Sequence, residues 1–331
     1  MATEIRDHIV DVEALTTVFR LRRGDLRAVN AVNLSVRRGE IVGLVGESGS
    51  GKSVTGLSIM GLVDPPGFID GGRIRFDGQD ITAAAEERLR QLRGNRMALI
   101  FQDAMMALNP VLTIQSHFVE SVQAHKAVGK AAAIAMGVDA LRRMGIPDAE
   151  KRMRAYPHQF SGGMRQRVAI ALSILHRPDF IIADEPTTAL DVTIQEQILY
   201  EMKQLCRNEG TGMLWITHDL AVVAGLTQRI YVMYGGRIVE RGPTDRIIDG
   251  ARHPYTRGLI ASLPEMTRRG ERLQQIRGYT ASPLAFERGC AFKPRCAFAG
   301  AACDETPAER PVAGSDGHFV SCFHMDKVER G

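Results

Sequence analysis

Gly46-Glu47-Ser48-Gly49-Ser50-Gly51-Lys52-Ser53 is the stretch on which the reading of this chain turns. It fits G-x-x-x-x-G-K-[ST], the pattern of a phosphate-binding loop. Ile41-Val42-Gly43-Leu44-Val45 in front of it predicts a short buried strand, and Val54 to Leu62 behind it predicts a helix. The motif demands that context. Glycines let backbone N–H groups turn inward toward phosphate oxygens, and the helix start adds the positive end of its dipole. Gly46, Ser48, Gly49, Ser50 and Gly51 are the expected cradle. Lys52 is the expected point charge for the β- and γ-phosphates of a nucleotide, and Ser53 the expected hydroxyl on Mg²⁺. A plain Gly-rich turn before a helix is the alternative, and the strand in front and the Lys-Ser pair weigh against it.

Before the loop, residues 12–45 alternate short β-like segments with turns. Arg22-Arg23-Gly24-Asp25 is a hairpin signal, and Asn33 to Val36 reads as a strand. After the loop, Gly72 to Gly78 predicts a further β piece, Glu86 to Arg93 a short helix, and Met97 to Phe101 a strand ending at Gln102. From Ala104 to His176 helical spacing takes over, with Ile134, Val138 and Leu141 at i, i+4 and i+7, until Gly145-Ile146-Pro147 breaks the run. The β pattern returns at Phe180 to Ala183. A helix over Thr193 to Arg207 follows, with Ile194, Ile198, Met202 and Leu205 on one face; Cys206 beside them reads as core. Met213 to Thr217 is a strand ending at His218, and Ile230–Tyr234 with Arg237–Glu240 is a β pair around Gly235-Gly236. Strands alternating with helices imply a parallel sheet with functional groups at the strand ends.

Composition sets the limits. The 331 residues suggest one large domain with an appendage, or two domains, and 44% hydrophobic content is ample for a core. A net charge of +4 says little about partners. Met1 to Asp11 carries no apolar run and does not read as a signal peptide. The apolar run Val168–Leu175 would span about 12 Å as a helix against a bilayer core of about 30 Å, so no segment predicts a membrane crossing. Four of the five cysteines fall after residue 289, and nothing implies secretion, so a disulfide framework is not expected.

Two more constellations carry chemistry. An apolar strand ending in Asp184-Glu185 can aim two acids at a nucleotide: Asp184 toward Mg²⁺, and Glu185 toward a water attacking the γ-phosphate. A solvated strand end is the alternative. Phe160-Ser161-Gly162-Gly163 offers a natural N-cap and bare N–H groups, which make an anion site. The chain already has one phosphate site, so this second one is expected to serve the nucleotide of another copy. An ordinary capped helix start is the alternative there.

Phosphate loop, Gln102, Ser161-Gly162-Gly163, Asp184-Glu185, Ala189-Leu190-Asp191 and His218 occur in the order seen in ABC-type ATPases, and residues 10–250 resemble that superfamily. Met164 stands where glutamine is usual. The resemblance implies an α/β P-loop NTPase (ABC-type) core with an antiparallel β subdomain, a helical insert and a small Cys-rich C-terminal domain. The divisions expected are residues 1–103 with 177–250 as ATPase core, 104–176 as the helical signature subdomain and 251–331 as the metal-binding domain. It also implies that Gln102 senses Mg²⁺ and the attacking water, that Asp191 crosses a dimer interface, and that His218 contacts the γ-phosphate. Without it His218 would read as a cap or core histidine. For stacking on adenine, Phe19 and Arg23 are the candidates, with a core role for Phe19 as the alternative.

A narrower resemblance spans nearly the whole chain. Phe101-Gln102-Asp103-Ala104-Met105-Met106-Ala107-Leu108-Asn109-Pro110, Tyr156-Pro157-His158-Gln159 and His253-Pro254-Tyr255-Thr256, which starts a short helix ending near Pro264, resemble the ATPases of oligopeptide/dipeptide importers. It implies two membrane permease subunits, a second and paralogous ATPase subunit, and an extracytoplasmic peptide-binding protein acting through the permease. It places the chain peripherally on the cytoplasmic face of the inner membrane, with no nucleic acid involved. Relatives import nickel, glutathione or opines. A soluble ABC ATPase acting on DNA or ribosomes is the other class. The stretch from Lys52 to Ser161, a separation of 109 positions, lacks the sustained heptads of DNA-repair members, and there is one cassette where translation factors carry two.

Cys290, Cys296, Cys303 and Cys322 are spaced C-x5-C-x6-C-x18-C. Thiolates suit zinc or iron–sulfur clusters, but the spacing matches neither zinc knuckles nor ferredoxin runs. The importer resemblance favours a [4Fe–4S] cluster. Zinc, with His318 or His324 as substitute ligands, and free thiols are the alternatives. From residue 265 onward periodic apolar positions are few, and Phe286, Phe292, Phe298 and Phe323 are scattered, so a metal centre is expected to supply the missing constraint.

Overall fold

The computed structural model describes residues 7–188, 190–263, 275–278 and 289–328. The expectations at Ala189, Pro264 and Phe286 lie outside the described residues. The chain forms two compact units. One holds residues 1–36, 41–82 and 215–331, and the other residues 37–40 and 83–214.

The first unit opens with strands β1 (His8–Leu21) and β2 (Gly24–Arg37), which turn at Arg22-Arg23 where the hairpin signal lies. Strand β3 (Ile41–Val45) is buried at all five positions. Helix α1 (Lys52–Met60) starts two residues earlier than the apolar pattern suggests, because Gly51 in the left-handed region ends the loop at once; Gly61 at φ 63° stops the helix. Strands β4 (Gly67–Phe76) and β5 (Gln79–Asp80) complete a four-stranded sheet of order β2-β1-β4-β5. β1 and β4 pair antiparallel from Val10↔Phe76 to Phe19↔Gly67. Gly67 admits the Phe19 ring: a Cβ there would lie 2.6 Å from it, so Phe19 packs on its own sheet.

The second unit contains α2 (Glu86–Leu92), β6 (Met97–Ile100), α3 (Ile114–His125), α4 (Lys130–Arg143), α5 (Ala149–Arg152), α6 (Gly162–Ser173), β7 (Phe180–Asp184) and α7 (Val192–Glu209). β6 and β7 run parallel, Met97↔Phe180 to Ile100↔Ala183. Parallel neighbours need a long crossover, and the helical segment between them is that crossover. Its core is Phe118, Val122, Ala133, Leu141 and Val168, all fully buried. A side chain of this size contributes about 1.5–3 kcal/mol when fully buried. α4 stops before Gly145, whose φ is 64°. On α7 the buried positions are Ile198, Met202 and Cys206, four apart, while Ile194 and Leu205 are half-buried. Burial pushes the Cys206 thiol up to about 12, as fits a core cysteine.

Strand β8 (Gly212–Thr217), buried throughout, carries the chain back into the first unit. There follow α8 (Leu220–Leu226), β9 (Arg229–Tyr234), β10 (Arg237–Pro243), α9 (Thr244–Gly250), α10 (Pro254–Ala261), β11 (Arg310–Pro311), β12 (Phe319–Val320) and α11 (Met325–Val328). Their strands belong to a second sheet, with β3, in the run β11-β12-β10-β9-β3; β3 and β9 are parallel, and β9 and β10 turn at Gly235 (φ 54°) and Gly236 (φ 80°). The late segment thus docks by strand pairing: β12 pairs with β10 through Glu240↔Val320 and Arg241↔Phe319. Val320 and Val328 are fully buried. Its anchors are few but deep, which periodicity along the chain does not reveal.

Candidate functional site

In the first unit the loop between β3 and α1 folds around its own lysine. Lys52 is 5% exposed, and its Nζ donates to the carbonyls of Gly46 at 2.7 Å and Glu47 at 2.9 Å. Two glycines are obligatory. At Gly46 (φ 155°) a Cβ would lie 2.2 Å from the Met233 carbonyl, and at Gly51 (φ 106°) 2.3 Å from that of Ala28. Ser48, Gly49 and Ser53 are exposed. The Ser50 hydroxyl is buried with no hydrogen-bond partner among the described residues. A buried hydroxyl left unsatisfied costs ~1–3 kcal/mol, so the loop suits a ligand rich in acceptor oxygens. His218 lies exposed just past β8, where Asp219 caps α8 by accepting from Ala221 N at 2.9 Å.

Two residues that the motifs did not single out for chemistry also hold the loop. The Glu47 N–H donates to the Tyr255 hydroxyl at 2.7 Å, and the Glu47 carboxylate accepts from both Arg295 Nη atoms at 2.6 and 3.0 Å. Tyr255 is fully buried at the start of α10, and burial pushes its phenol well above the usual range. Donating to the Glu47 carboxylate raises the pKa of Arg295 above that of an ordinary arginine. Tyr234, Tyr255 and Phe292 form an aromatic box with ring centroids 4.6–5.4 Å apart. Phe292, scattered in the sequence, thus packs into this box.

In the second unit two of the candidate residues at strand ends meet. Gln102 Nε2 donates to Glu185 Oε2 at 3.3 Å. Glu185 has φ 45°, a left-handed conformation for a non-glycine residue, and strain of about 1–3 kcal/mol of this kind clusters at functional sites. Thr188 braces it: its hydroxyl donates to the Glu185 carboxylate and carbonyl, both at 3.1 Å. The polar run after β7 was the only sequence signal for Thr188. Asp184 ends β7 half-buried. Ser161 caps α6, accepting from Met164 N at 3.3 Å. Gly162 has open space around it, while a Cβ on Gly163 would stand 3.2 Å from Leu190. Gln166, 5% exposed, donates to the Phe101 carbonyl at 3.1 Å and so ties α6 to the segment carrying Gln102. Asp191 caps α7, accepting from Ile194 N at 3.0 Å.

The late cysteines differ from expectation. Among the described residues, no three His, Cys, Asp or Glu side chains are grouped to hold a metal ion. The four thiols do share one segment. Burial raises Cys290 and Cys296 and pushes Cys322 up to about 11, and Cys290, Cys296 and Cys303 each add to the effect on Cys322. Desolvation disfavours the charged thiolate, which is why burial shifts these three groups upward. His318, expected as a substitute ligand, places Nε2 2.8 Å from Glu240, and both side chains are buried. His324 Nε2 is buried without a partner among the described residues.

The chain matches known proteins along most of its length. The ABC transporter family profile covers residues 29–188, and that of the oligopeptide/dipeptide transporter C-terminal region covers residues 239–303. A Brucella abortus ATP-binding protein assigned to peptide import is 49% identical over 98% of this chain and 99% of its own. The dipeptide transport ATP-binding protein DppD of Escherichia coli is 43% identical over 96% of each chain. Among solved structures, a dimeric post-hydrolysis ATP-binding cassette bound to ADP and Pi is 26% identical, with a TM-score of 0.65 over 71% of this chain and 98% of its own.

Proposed function

The chain belongs to the ATP-binding subunits of ABC transporters, and from that premise we propose that it hydrolyses ATP to energise peptide import through membrane permeases. The observation that carries the ATP reading is the loop at Gly46–Ser53, closed around Lys52 with glycines where no Cβ fits. No described helix is long and apolar enough to cross a membrane. The reading therefore includes peripheral attachment to two permease subunits on the cytoplasmic face of the inner membrane, fed by an extracytoplasmic peptide-binding protein. Met106 and Val111, 70% and 74% exposed just after Gln102, are an apolar edge suited to a permease. The functional division proposed is core (1–103, 177–250), signature subdomain (104–176) and C-terminal domain (251–331).

Each residue has a proposed task. Lys52 and the N–H groups of Gly46, Ser48, Gly49, Ser50 and Gly51 hold the phosphates. Ser53, Asp184 and Gln102 offer the hard oxygen donors that Mg²⁺ takes, and the ion offsets phosphate charge. Glu185 polarises the attacking water, held in place by Gln102 and Thr188. His218 contacts the γ-phosphate. A second cassette, paralogous to this one, completes the site with its own signature helix end, and Ser161, Gly162, Gly163 and Asp191 serve the partner's nucleotide in return. Cys290, Cys296, Cys303 and Cys322 are proposed as ligands of a [4Fe–4S] cluster on the strength of the resemblance alone.

The test uses the complex reconstituted with its permeases in vesicles. Glu185→Gln should retain ATP binding while phosphate release falls at least ~10²-fold. Lys52→Ala should weaken binding itself. Near-normal phosphate release by Glu185→Gln, or unchanged ATP affinity in Lys52→Ala, overturns the reading.

A further inference from the structure

Glu47 is the second residue of the phosphate loop, and its carboxylate is a negative charge where a polyanion is to bind. Left uncompensated, it repels that ligand. It is compensated from far along the chain. Arg295 grips it as a fork, Nη1 to Oε2 at 2.6 Å and Nη2 to Oε1 at 3.0 Å, and the Arg295 side chain is 5% exposed. The remaining donors of the guanidinium are used as well. Nε bonds the Arg277 carbonyl at 2.9 Å, Nη2 reaches the Ile276 carbonyl at 3.5 Å, and Nη1 reaches the Tyr234 hydroxyl at 3.4 Å. Planar two-point recognition of this kind fixes position as well as charge.

The backbone of the same residue is held too. Its N–H donates to the Tyr255 hydroxyl at 2.7 Å, while the Gly46 carbonyl, the other end of the same peptide group, accepts from Lys52 at 2.7 Å. The Gly46–Glu47 peptide is thereby oriented from both faces. That orientation decides which N–H groups of the loop remain to meet phosphate.

We propose that Arg295 and Tyr255 are positioning residues of the ATP site: Arg295 neutralises and fixes Glu47, and Tyr255 orients the Gly46–Glu47 peptide, so that the C-terminal region forms part of the nucleotide-binding machinery. This rests on the reading of the loop as an ATP site. It requires neither a metal nor a cluster at the cysteines.

The experiment is titration of the full-length chain with a fluorescent N-methylanthraniloyl ATP and Mg²⁺, together with thermal melting of each variant. Arg295→Ala should weaken binding roughly ten-fold, the equivalent of ~1.4 kcal/mol. Glu47→Gln removes the stranded charge, so the double variant Arg295→Ala/Glu47→Gln should return to within about three-fold of Glu47→Gln alone, a non-additivity expected only of directly coupled groups. A role limited to docking the tail would not be rescued by a change in the loop. Tyr255→Phe keeps the ring and its packing, loses the hydroxyl, and should weaken binding several-fold with little change in melting temperature; it keeps the test sharp should Arg295→Ala fold poorly. Binding by Tyr255→Phe and by folded Arg295→Ala within two-fold of wild type overturns the proposal, as does a double variant as weak as Arg295→Ala. Lys52→Ala is the control. If it binds as well as wild type, the ATP reading of the loop fails; if it loses binding while the Tyr255 and Arg295 variants keep theirs, only this inference fails.

Discussion

His253 caps α10, the helix that delivers Tyr255 to the loop, and it can do so only while neutral. Its Nδ1 accepts the Tyr255 N–H at 3.1 Å, so that nitrogen carries no proton. The residue is 1% exposed. Burial lowers its pKa to about 4 from an ordinary 6.5, against the opposing pull of the Glu240 carboxylate. The unfolded chain therefore binds a proton in a range where the folded chain does not. Between pH 6.5 and 4 the unfolded state holds more protons, so stability rises with pH; the contribution is complete above 6.5 and is lost as pH falls toward 4. At 1.36 kcal/mol per pH unit the full loss is ~3 kcal/mol, of which ~2 kcal/mol is felt at pH 5.

The comparison that isolates this is His253→Asn. Asparagine caps helices well and does not titrate. Urea unfolding of both proteins at pH 7.0 and 5.0 gives four stabilities. Other titrating groups act in both proteins and cancel in the double difference. Wild type should lose ~2 kcal/mol more than His253→Asn over that interval, whatever the substitution costs at neutral pH. Equal acid sensitivity, within ~0.5 kcal/mol, refutes the reasoning, because the imidazole would then be either already protonated at pH 7 or free to titrate normally in the folded state.

Two further outcomes are expected. Gly51→Ala must place a Cβ at φ 106° and 2.3 Å from the Ala28 carbonyl, so the loop shifts; thermal melting should show a clear loss of stability and titration a loss of ATP binding, and a variant matching wild type in both would refute the geometric argument. Protein purified without air should contain iron and sulfide and be brown if the four cysteines hold a cluster, with Cys296→Ser losing the colour while keeping ATP binding; colourless, iron-free protein with a well-ordered tail refutes cluster binding.

Much of the core was legible because its signals are local. The apolar pentad Ile41–Val45 is a buried strand, the acids after Phe180–Ala183 stand at its end, and Gly235-Gly236 turns a hairpin, each as the adjoining residues dictate. Small departures also have local causes. The strand signal at Asn33–Val36 is the end of a fourteen-residue strand, since pairing with β1 extends it through residues whose own pattern is mixed. The cysteine spacing marks four late thiols, but spacing says nothing of how burial acts on each, and burial raises Cys290, Cys296 and Cys322.

What the sequence hid is the contact made across long separations. Glu47 reads as one of the variable positions of its motif, and no property of its neighbours calls for a partner. Yet Tyr255 and Arg295 meet it from 208 and 248 residues away. Tyr255 lies in a stretch notable only for family likeness, and Arg295 is one arginine among many beside a cysteine. An exposed pair of that charge type contributes little, with a median near 0–1 kcal/mol. This pair is different because burial at Arg295 removes the competing water, and removing one partner of a buried, hydrogen-bonded pair strands the other charge. The aromatic box covers the guanidinium, which lies over the Tyr234 and Phe292 rings, and such a box leaves no periodic trace. Residues that act directly on a ligand are written in motifs, whereas those that hold such residues in place become visible only once the tail is seen to pack on the sheet.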